Sequence, residues 1–208
     1  LANNTYIPDQ NFEQTLIDLG YDDTLDGYIE DSSMLSVTQL DLSNKQITDF
    51  TGLEEFINLT DLNLSGNTIT SLPLVNLNQL TTLDLSNTGL TELNLLQNNG
   101  LTTLDLSNNS FTQLDLSQNN NLLSLVLTGN PNLSCVKVSD QIYQQIPSGW
   151  TYDSTTGFEL ECDCPTLSLI SGNQNQTICD GEAMENITFE FGGKDVNINV
   201  STMPGGIQ

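Results

Sequence analysis

The sequence predicts an α/β solenoid: stacked parallel strands on a concave face, a mostly irregular convex side, and the start of an all-β domain behind it. Three observations carry that prediction. The 208 residues include 34 leucines and 25 asparagines, a skew that suggests a repeat. Five segments then recur every 21 to 22 residues in one register: Val37-Thr-Gln-Leu40-Asp-Leu42, Leu59-Thr-Asp-Leu62-Asn-Leu64, Leu80-Thr-Thr-Leu83-Asp-Leu85, Leu101-Thr-Thr-Leu104-Asp-Leu106 and Leu122-Leu-Ser-Leu125-Val-Leu127. Within the first four, leucines alternate with polar residues, as Leu40 and Leu42 do with Gln39 and Asp41, the period of a short strand with one buried face. Such a strand cannot bury its leucines alone, so neighbours must stack in parallel around a shared core.

Residues 1–36 read as the cap of the open N-terminal end. Ile7-Pro8-Asp9 leads into Phe12, Leu16 and Leu19 at helical spacing, with Asp9 near the helix start and Gly20 at its stop. Behind that helix, Asp22-Asp23-Thr24-Leu25-Asp26-Gly27-Tyr28-Ile29-Glu30 follows the spacing of an EF-hand-like loop. Asp22 takes position 1, Thr24 position 3, Asp26 position 5, Gly27 position 6, the Tyr28 carbonyl position 7 and Glu30 position 9. Ser33 stands where such loops place a bidentate Glu, so either the affinity is weak or Asp31 takes over that role. Asp22, Thr24, Asp26, Tyr28, Glu30 and Asp31 are therefore the candidate metal ligands, and calcium is the one cofactor suggested. The competing explanation is an acidic turn built around a glycine.

Residues 37–133 hold the five repeats, each following L-x-x-L-x-L-x-x-N-x-L. This pattern resembles the leucine-rich repeats. Asn67, Asn109 and Asn130 fill the ninth position, where an inward amide can satisfy buried turn backbone. Lys45 and Thr88 interrupt that ladder, so looser turns are expected there. Asn98, Asn99 and Asn119 to Asn121 read as ordinary turn formers. Leu72-Pro-Leu74, Leu93-Asn-Leu95 and Leu114-Asp-Leu116 are expected to run extended along the convex side, and Leu53, Phe56 and Ile57 to form one short helix or 3₁₀ turn between Asp49 and Asn58. On the concave side the outward residues include Gln39 and Asp41, Asp61 and Asn63, Thr82 and Asp84, and Thr103 and Asp105. These eight are the candidate contact face for a protein or glycan partner. They include no aromatic ring, and the alternative is a solvated face that serves solubility.

Residues 134–164 read as the C-terminal cap, with Ser139-Asp140 starting a short helix through Ile142, Tyr143 and Ile146, and Trp150 supplying bulk over the last repeat. The four cysteines, at 135, 162, 164 and 179, point to two disulfides in an oxidising compartment more readily than to a zinc site. Cys162-Asp163-Cys164 cannot easily close on itself. The expected pairs are Cys135–Cys162 and Cys164–Cys179. Over 165–208, the alternating segments 186–191 and 196–200 resemble the opening of an immunoglobulin-like or PKD-like module. Such a sandwich needs roughly 100 residues, so the expectation is a longer protein.

The series of an Ile-Pro-Asp cap, Leu-Asp-Leu-Ser repeats and an Asn130-Pro131-Asn132-Leu133-Ser134-Cys135 end motif is similar to secreted leucine-rich-repeat surface proteins of the Bacteroidota, with an internalin-like cap. That resemblance implies export, often by the type IX route with its secretion machinery, and a secreted or outer-surface location. Asp23-Thr24-Leu25 and Asp153-Ser154-Thr155 also resemble the O-glycosylation acceptor of that group, with Ser154 the better acceptor because Thr24 is already a candidate calcium ligand.

Charge and composition exclude other functions. The chain carries 27 acidic residues against three lysines, no arginine and no histidine, for a net charge of −24. It cannot neutralise phosphates, so nucleic acid and anionic membranes are poor partners. Without histidine the commonest general base is missing, as are Ser–His and Cys–His pairs. No run of 18 apolar residues offers a membrane span. The first residues lack a basic, apolar leader, so any export signal is expected to have been removed already. The function expected is a non-catalytic interaction or adhesion module; the alternative is the non-catalytic N-terminal binding region of a longer exported enzyme.

Overall fold

The computed structural model describes residues 4–162 and, as backbone, 166–168 and 175–177. The chain divides into two compact units, Leu1–Leu160 and Glu161–Gln208.

The first unit opens with the cap. Strand β1 (Asn4–Tyr6) pairs antiparallel with β2 (Tyr28–Glu30), and helix α1 (Gln10–Asp18) lies between them in sequence. The helix starts as predicted, because the Asp9 side chain accepts from the Asn11 and Phe12 amides. Gly20, at φ +79°, ends it. Phe12 and Leu16 are fully buried, whereas Leu19 stays about half exposed. Phe12 packs against Phe50 and Phe56, with ring centroids 5.9 and 6.4 Å away, which docks the cap on the first repeat. A four-residue helix, α2 (Asp31–Met34), then leads into the repeats. The short helix expected near Phe56 is a 3₁₀ turn, Leu53–Glu55; it buries Leu53 and leaves Ile57 outside.

Six parallel strands make the concave sheet: β3 (Gln39–Asp41), β4 (Asp61–Asn63), β5 (Thr82–Asp84), β6 (Thr103–Asp105), β8 (Ser124–Val126) and β10 (Trp150–Thr151). Their central residues stack in register from Leu40 through Leu62, Leu83, Leu104 and Leu125, all buried, and Trp150 occupies the next rung. The sheet thus runs one strand beyond the five repeats. Helix α3 (Asp140–Gln144), capped by Ser139, sits in the longer connection before that last rung. Trp150 is more than bulk on a lid: it fills the leucine column, and its indole N–H donates to the Leu122 carbonyl at 3.2 Å. Gly149 is required beside it, since a Cβ there would collide with the Leu123 carbonyl.

A second parallel sheet joins β7 (Gln113–Asp115), β9 (Cys135–Lys137) and β11 (Gly157–Glu159). Only the last of the three predicted convex extensions is therefore a strand. The earlier ones bury Leu74 and Leu95 without forming a ladder. Pro73 has no N–H to donate, which is one reason why. Cys135 and Cys162 are disulfide-bonded, in agreement with the predicted pair.

The asparagines divide into two ladders. In the first, Nδ2 of Asn67, Asn109 and Asn130 donates to a carbonyl of its own turn and to one in the preceding coil, for Asn109 Leu106 at 3.0 Å and Leu85 at 2.8 Å. Their Oδ1 atoms accept amides of the preceding coil. Thr88 does not loosen its turn as expected. It is buried, its hydroxyl lies 2.8 Å from the Leu85 carbonyl, and its own carbonyl accepts the Ile69 amide that an asparagine side chain would otherwise take. Asn98 and Asn119 correct the turn-former expectation. Each is 1% exposed and donates to two carbonyls, a second ladder spaced one coil apart. The residue before each first-ladder position, Asn44, Gly66, Asn87, Asn108 or Gly129, has φ between +55° and +79°, the left-handed region that asparagine and glycine enter most readily.

In the second unit, β12 (Thr166–Ser168) pairs antiparallel with β13 (Asn175–Thr177). The strands predicted at 186–191 and 196–200, and the pair Cys164–Cys179, lie outside the described residues.

Candidate functional site

The eight predicted concave residues do assemble. Parallel register places Gln39, Asp61, Thr82 and Thr103 in one column and Asp41, Asn63, Asp84 and Asp105 in another, on four consecutive strands. All are exposed or half-buried. Neighbouring strands in a sheet are about 4.8 Å apart, so Asp84 and Asp105 are adjacent carboxylates.

Four of these eight side chains already hold backbone. Oδ1 of Asp41, Asp84 and Asp105 accepts the amide two residues on, from Ser43, Ser86 and Ser107, each at 2.9 Å. Asn63 does the same for Ser65 at 3.0 Å, and Asp115 repeats the turn in the second sheet. This is the Asx turn, in which a short side chain closes the chain's exit from a strand. The Leu-Asp-Leu-Ser repeat is its sequence signal, and reading the carboxylates only as free surface charge missed it.

Asp61 has a different environment. The Thr60 hydroxyl, at 2.7 Å, holds its carboxyl below the usual carboxylate range; burial opposes this, and the Gln39 amide and the Thr82 hydroxyl reinforce it. Thr60, Thr81 and Thr102 also reach the carbonyl one coil back, at 3.0 to 3.1 Å. The centre of the face is thus a hydrogen-bonded, pre-ordered surface.

The acidic loop is organised by a residue that the sequence reading missed. Glu13, on α1, is 2% exposed, and its Oε1 accepts the Asp26 amide at 2.7 Å and the Gly27 amide. Asp26 Oδ1 accepts the Tyr28 amide, and Thr24 Oγ1 sits between Asp23 and Asp26 at 3.3 and 3.4 Å. Asp31 receives the Thr5 hydroxyl at 2.9 Å, Glu30 contacts Ser32, and Tyr28 lies in β2. Gly27, at φ +84°, makes the turn that its sixth position in the loop requires. Among the described residues, no group of three or more acidic or cysteine side chains is placed to hold a metal ion. One atom nevertheless lacks a partner: Asp22 Oδ2 is buried without a hydrogen bond. Burial pushes the Asp22 carboxyl up; Glu13, Asp23 and Asp26 push the same way, against the hydrogen bond from the Asp23 amide.

Ser154 is exposed, while its neighbour Asp153 accepts the Gly129 and Asn130 amides and so fixes the loop that presents it.

No protein-family model matches the chain, and no curated protein matches it. Solved structures do. An internalin of Listeria monocytogenes, inlF, is 19% identical with a TM-score of 0.54, over 74% of this chain and 57% of its own. Internalin C2 of the same organism is 19% identical with a TM-score of 0.53, over 76% of this chain and 91% of its own. The functional domain of InlJ, described as including a cysteine ladder, is 22% identical with a TM-score of 0.50, over 73% of this chain and 39% of its own. This chain therefore spans little more than half the inlF chain. At these identities the likeness concerns the fold, and that fold is the internalin-type leucine-rich-repeat solenoid.

Proposed function

We propose that this chain is a non-catalytic interaction module, surface-exposed or secreted, that engages a protein or glycan through its concave sheet. The observation that carries this reading is the two-column array from Gln39 to Asp105, seven of whose eight members are ordered by neighbouring hydrogen bonds. A partner would then meet a face that loses little side-chain entropy on binding. The disulfide supports an oxidising location. Asp84→Asn with Asp105→Asn tests the face cleanly, because an asparagine keeps the Oδ1 acceptor, as Asn63 already does, and removes only charge. Ligands identified on a glycan array and a surface-protein array should bind the variant about tenfold more weakly, with its melting temperature within about 2 °C of the parent. Equal binding by the variant, or no ligand on either array, would reject the concave face as the site.

For the acidic loop we propose weak calcium binding centred on Asp22, supported by the orphaned Oδ2 and the EF-hand-like spacing. The loop would have to draw Asp26 and Glu30 inward. Asp22 makes this testable through a sign. Its folded-state pKa is raised, so its charge costs stability at neutral pH and the cost falls as pH drops. Without calcium, Asp22→Asn should therefore melt about 1–3 °C higher, a small gain because the group is partly solvated. With millimolar calcium the parent should gain stability and the variant should not. An unresponsive parent at about 10 mM calcium would remove the metal from the account.

A further inference from the structure

The outward face of the β1–β2 ribbon carries chemistry that the concave sheet lacks. Tyr6 stands directly opposite Tyr28 in the antiparallel register, and Asn4 stands opposite Glu30. Thr5 and Ile29 alternate with them, and Ile29 is fully buried, so Asn4, Tyr6, Tyr28 and Glu30 share the solvent side. The two rings meet at a centroid distance of 5.4 Å, tilted by 49°. They remain 53% and 47% exposed. Glu30 flanks them on the same strand, and Asp26 lies at their foot, its Oδ1 accepting the Tyr28 amide at 3.0 Å.

We propose that this face binds an arginine or lysine side chain from a basic segment of a partner protein. The inference rests on the interaction-module reading, but not on the concave face as its site. Two tyrosine rings present the negative faces of their quadrupoles to a cation, and the Glu30 carboxylate beside them can pair with it. Such half-exposed aromatics flanked by charge are the composition of binding hot spots, while the ribbon's own core contact is made by Ile29. Charge complementarity chooses the partner. The chain has 27 acidic residues against three lysines, at 45, 137 and 194, none of them in the cap sequence, so a basic partner complements it. The overall field steers a basic partner inward, and the tyrosines give it one place to stop. Arginine fits better than lysine, because a planar guanidinium stacks on a ring and forks to a carboxylate at once.

The test uses three labelled peptides, alternating glycine with arginine, lysine or glutamate, titrated into the full chain by fluorescence anisotropy with EDTA present. At about 0.1 M salt, where distant charges are screened, the arginine peptide should bind best and the glutamate peptide not at all. Tyr6→Leu with Tyr28→Leu keeps apolar bulk on the ribbon and should weaken arginine-peptide binding about tenfold. Glu30→Gln should weaken it about threefold, and Asp84→Asn with Asp105→Asn less than twofold. An unchanged melting temperature shows that the tyrosine variant folds. Equal binding by that variant, an equal loss from the concave variant, or absence of arginine-peptide binding each overturns the proposal. A tyrosine-dependent glycan in place of the peptide also overturns it. Since the concave variant is measured in the same series, failure at the cap leaves the array experiment on the concave face standing.

Discussion

Asn109→Ala should be the most damaging single substitution outside the leucine columns, lowering stability by about 3–5 kcal/mol. Four backbone groups depend most closely on this one side chain, with the Ser107 carbonyl a fifth, longer contact at 3.3 Å. Its Nδ2 satisfies the Leu85 and Leu106 carbonyls, and its Oδ1 satisfies the Thr88 and Leu90 amides. Leaving a buried polar group unpaired costs about 1–3 kcal/mol. The sum stays below four full penalties because water can enter part of the space left by the side chain. The position is 5% exposed and central in the solenoid, so the damage cannot be relieved by fraying an end. Urea unfolding of the parent and variant would measure it. Asn109→Asp separates the two halves of the role, since it keeps both acceptor contacts and turns a carboxylate toward two carbonyls; it should be at least as harmful as alanine. A loss under 1 kcal/mol for either variant would show that the ladder is incidental to the stacking of coils.

The parts of this architecture that obey a period were legible in the sequence. The strand leucines repeat every coil and alternate within each strand, so their column, its parallel register and the outward set from Gln39 to Asp105 could all be read directly. The ninth-position asparagines were legible for the same reason. Asn98 and Asn119 share a period too, but Leu77 holds the equivalent place one coil earlier, and a column that changes from apolar to amide does not announce itself among 25 asparagines. The rung at Trp150 was hidden by α3, which shifts it out of the 21-residue spacing. Glu13 was hidden by chemistry: it occupies the buried side of an amphipathic helix, and its partners, the Asp26 and Gly27 amides, lie half a cap away in sequence. An acidic loop read on its own looks like a cation site. Seen with Glu13, it is also a turn whose Asp26 and Gly27 amides are held by a buried carboxylate. The concave carboxylates teach a related lesson, because their outward direction was correct while their bonds to the Ser43, Ser86 and Ser107 amides made them structural as well.

Asp9→Ala should detach the cap from the first repeat, at a cost of about 2–3 kcal/mol. The carboxylate divides its work. Oδ1 caps α1 through the Asn11 and Phe12 amides at 2.9 and 3.1 Å. Oδ2 reaches across to the first repeat, accepting the Thr48 amide at 2.9 Å, the Thr48 hydroxyl at 3.2 Å and the Asp49 amide at 3.2 Å. Loss of the cap alone costs about 1 kcal/mol, and the rest comes from charge-assisted bonds discounted for partial exposure. Burial by itself would raise the Asp9 carboxyl, but the hydrogen bonds from Thr48, Phe12 and Asp49 outweigh it and hold the group below its ordinary value of 3.8. A lowered folded-state pKa means that the unfolded chain binds the proton more readily. The stabilisation is therefore complete above the unfolded-state value and disappears as pH falls through the folded one. Asp9→Asn sharpens the test. It preserves the Oδ1 cap, but turns an NH₂ toward the two amides that Oδ2 accepted, so it should lose the bridge and keep the helix. At neutral pH it should fall between the parent and Asp9→Ala. Below about pH 4 the parent should converge on it, because protonation removes the same charge. Thermal unfolding across pH 2.5–7 would show that convergence. A constant gap between the two curves would mean that the bridge holds the cap by shape and not by the charge of Asp9.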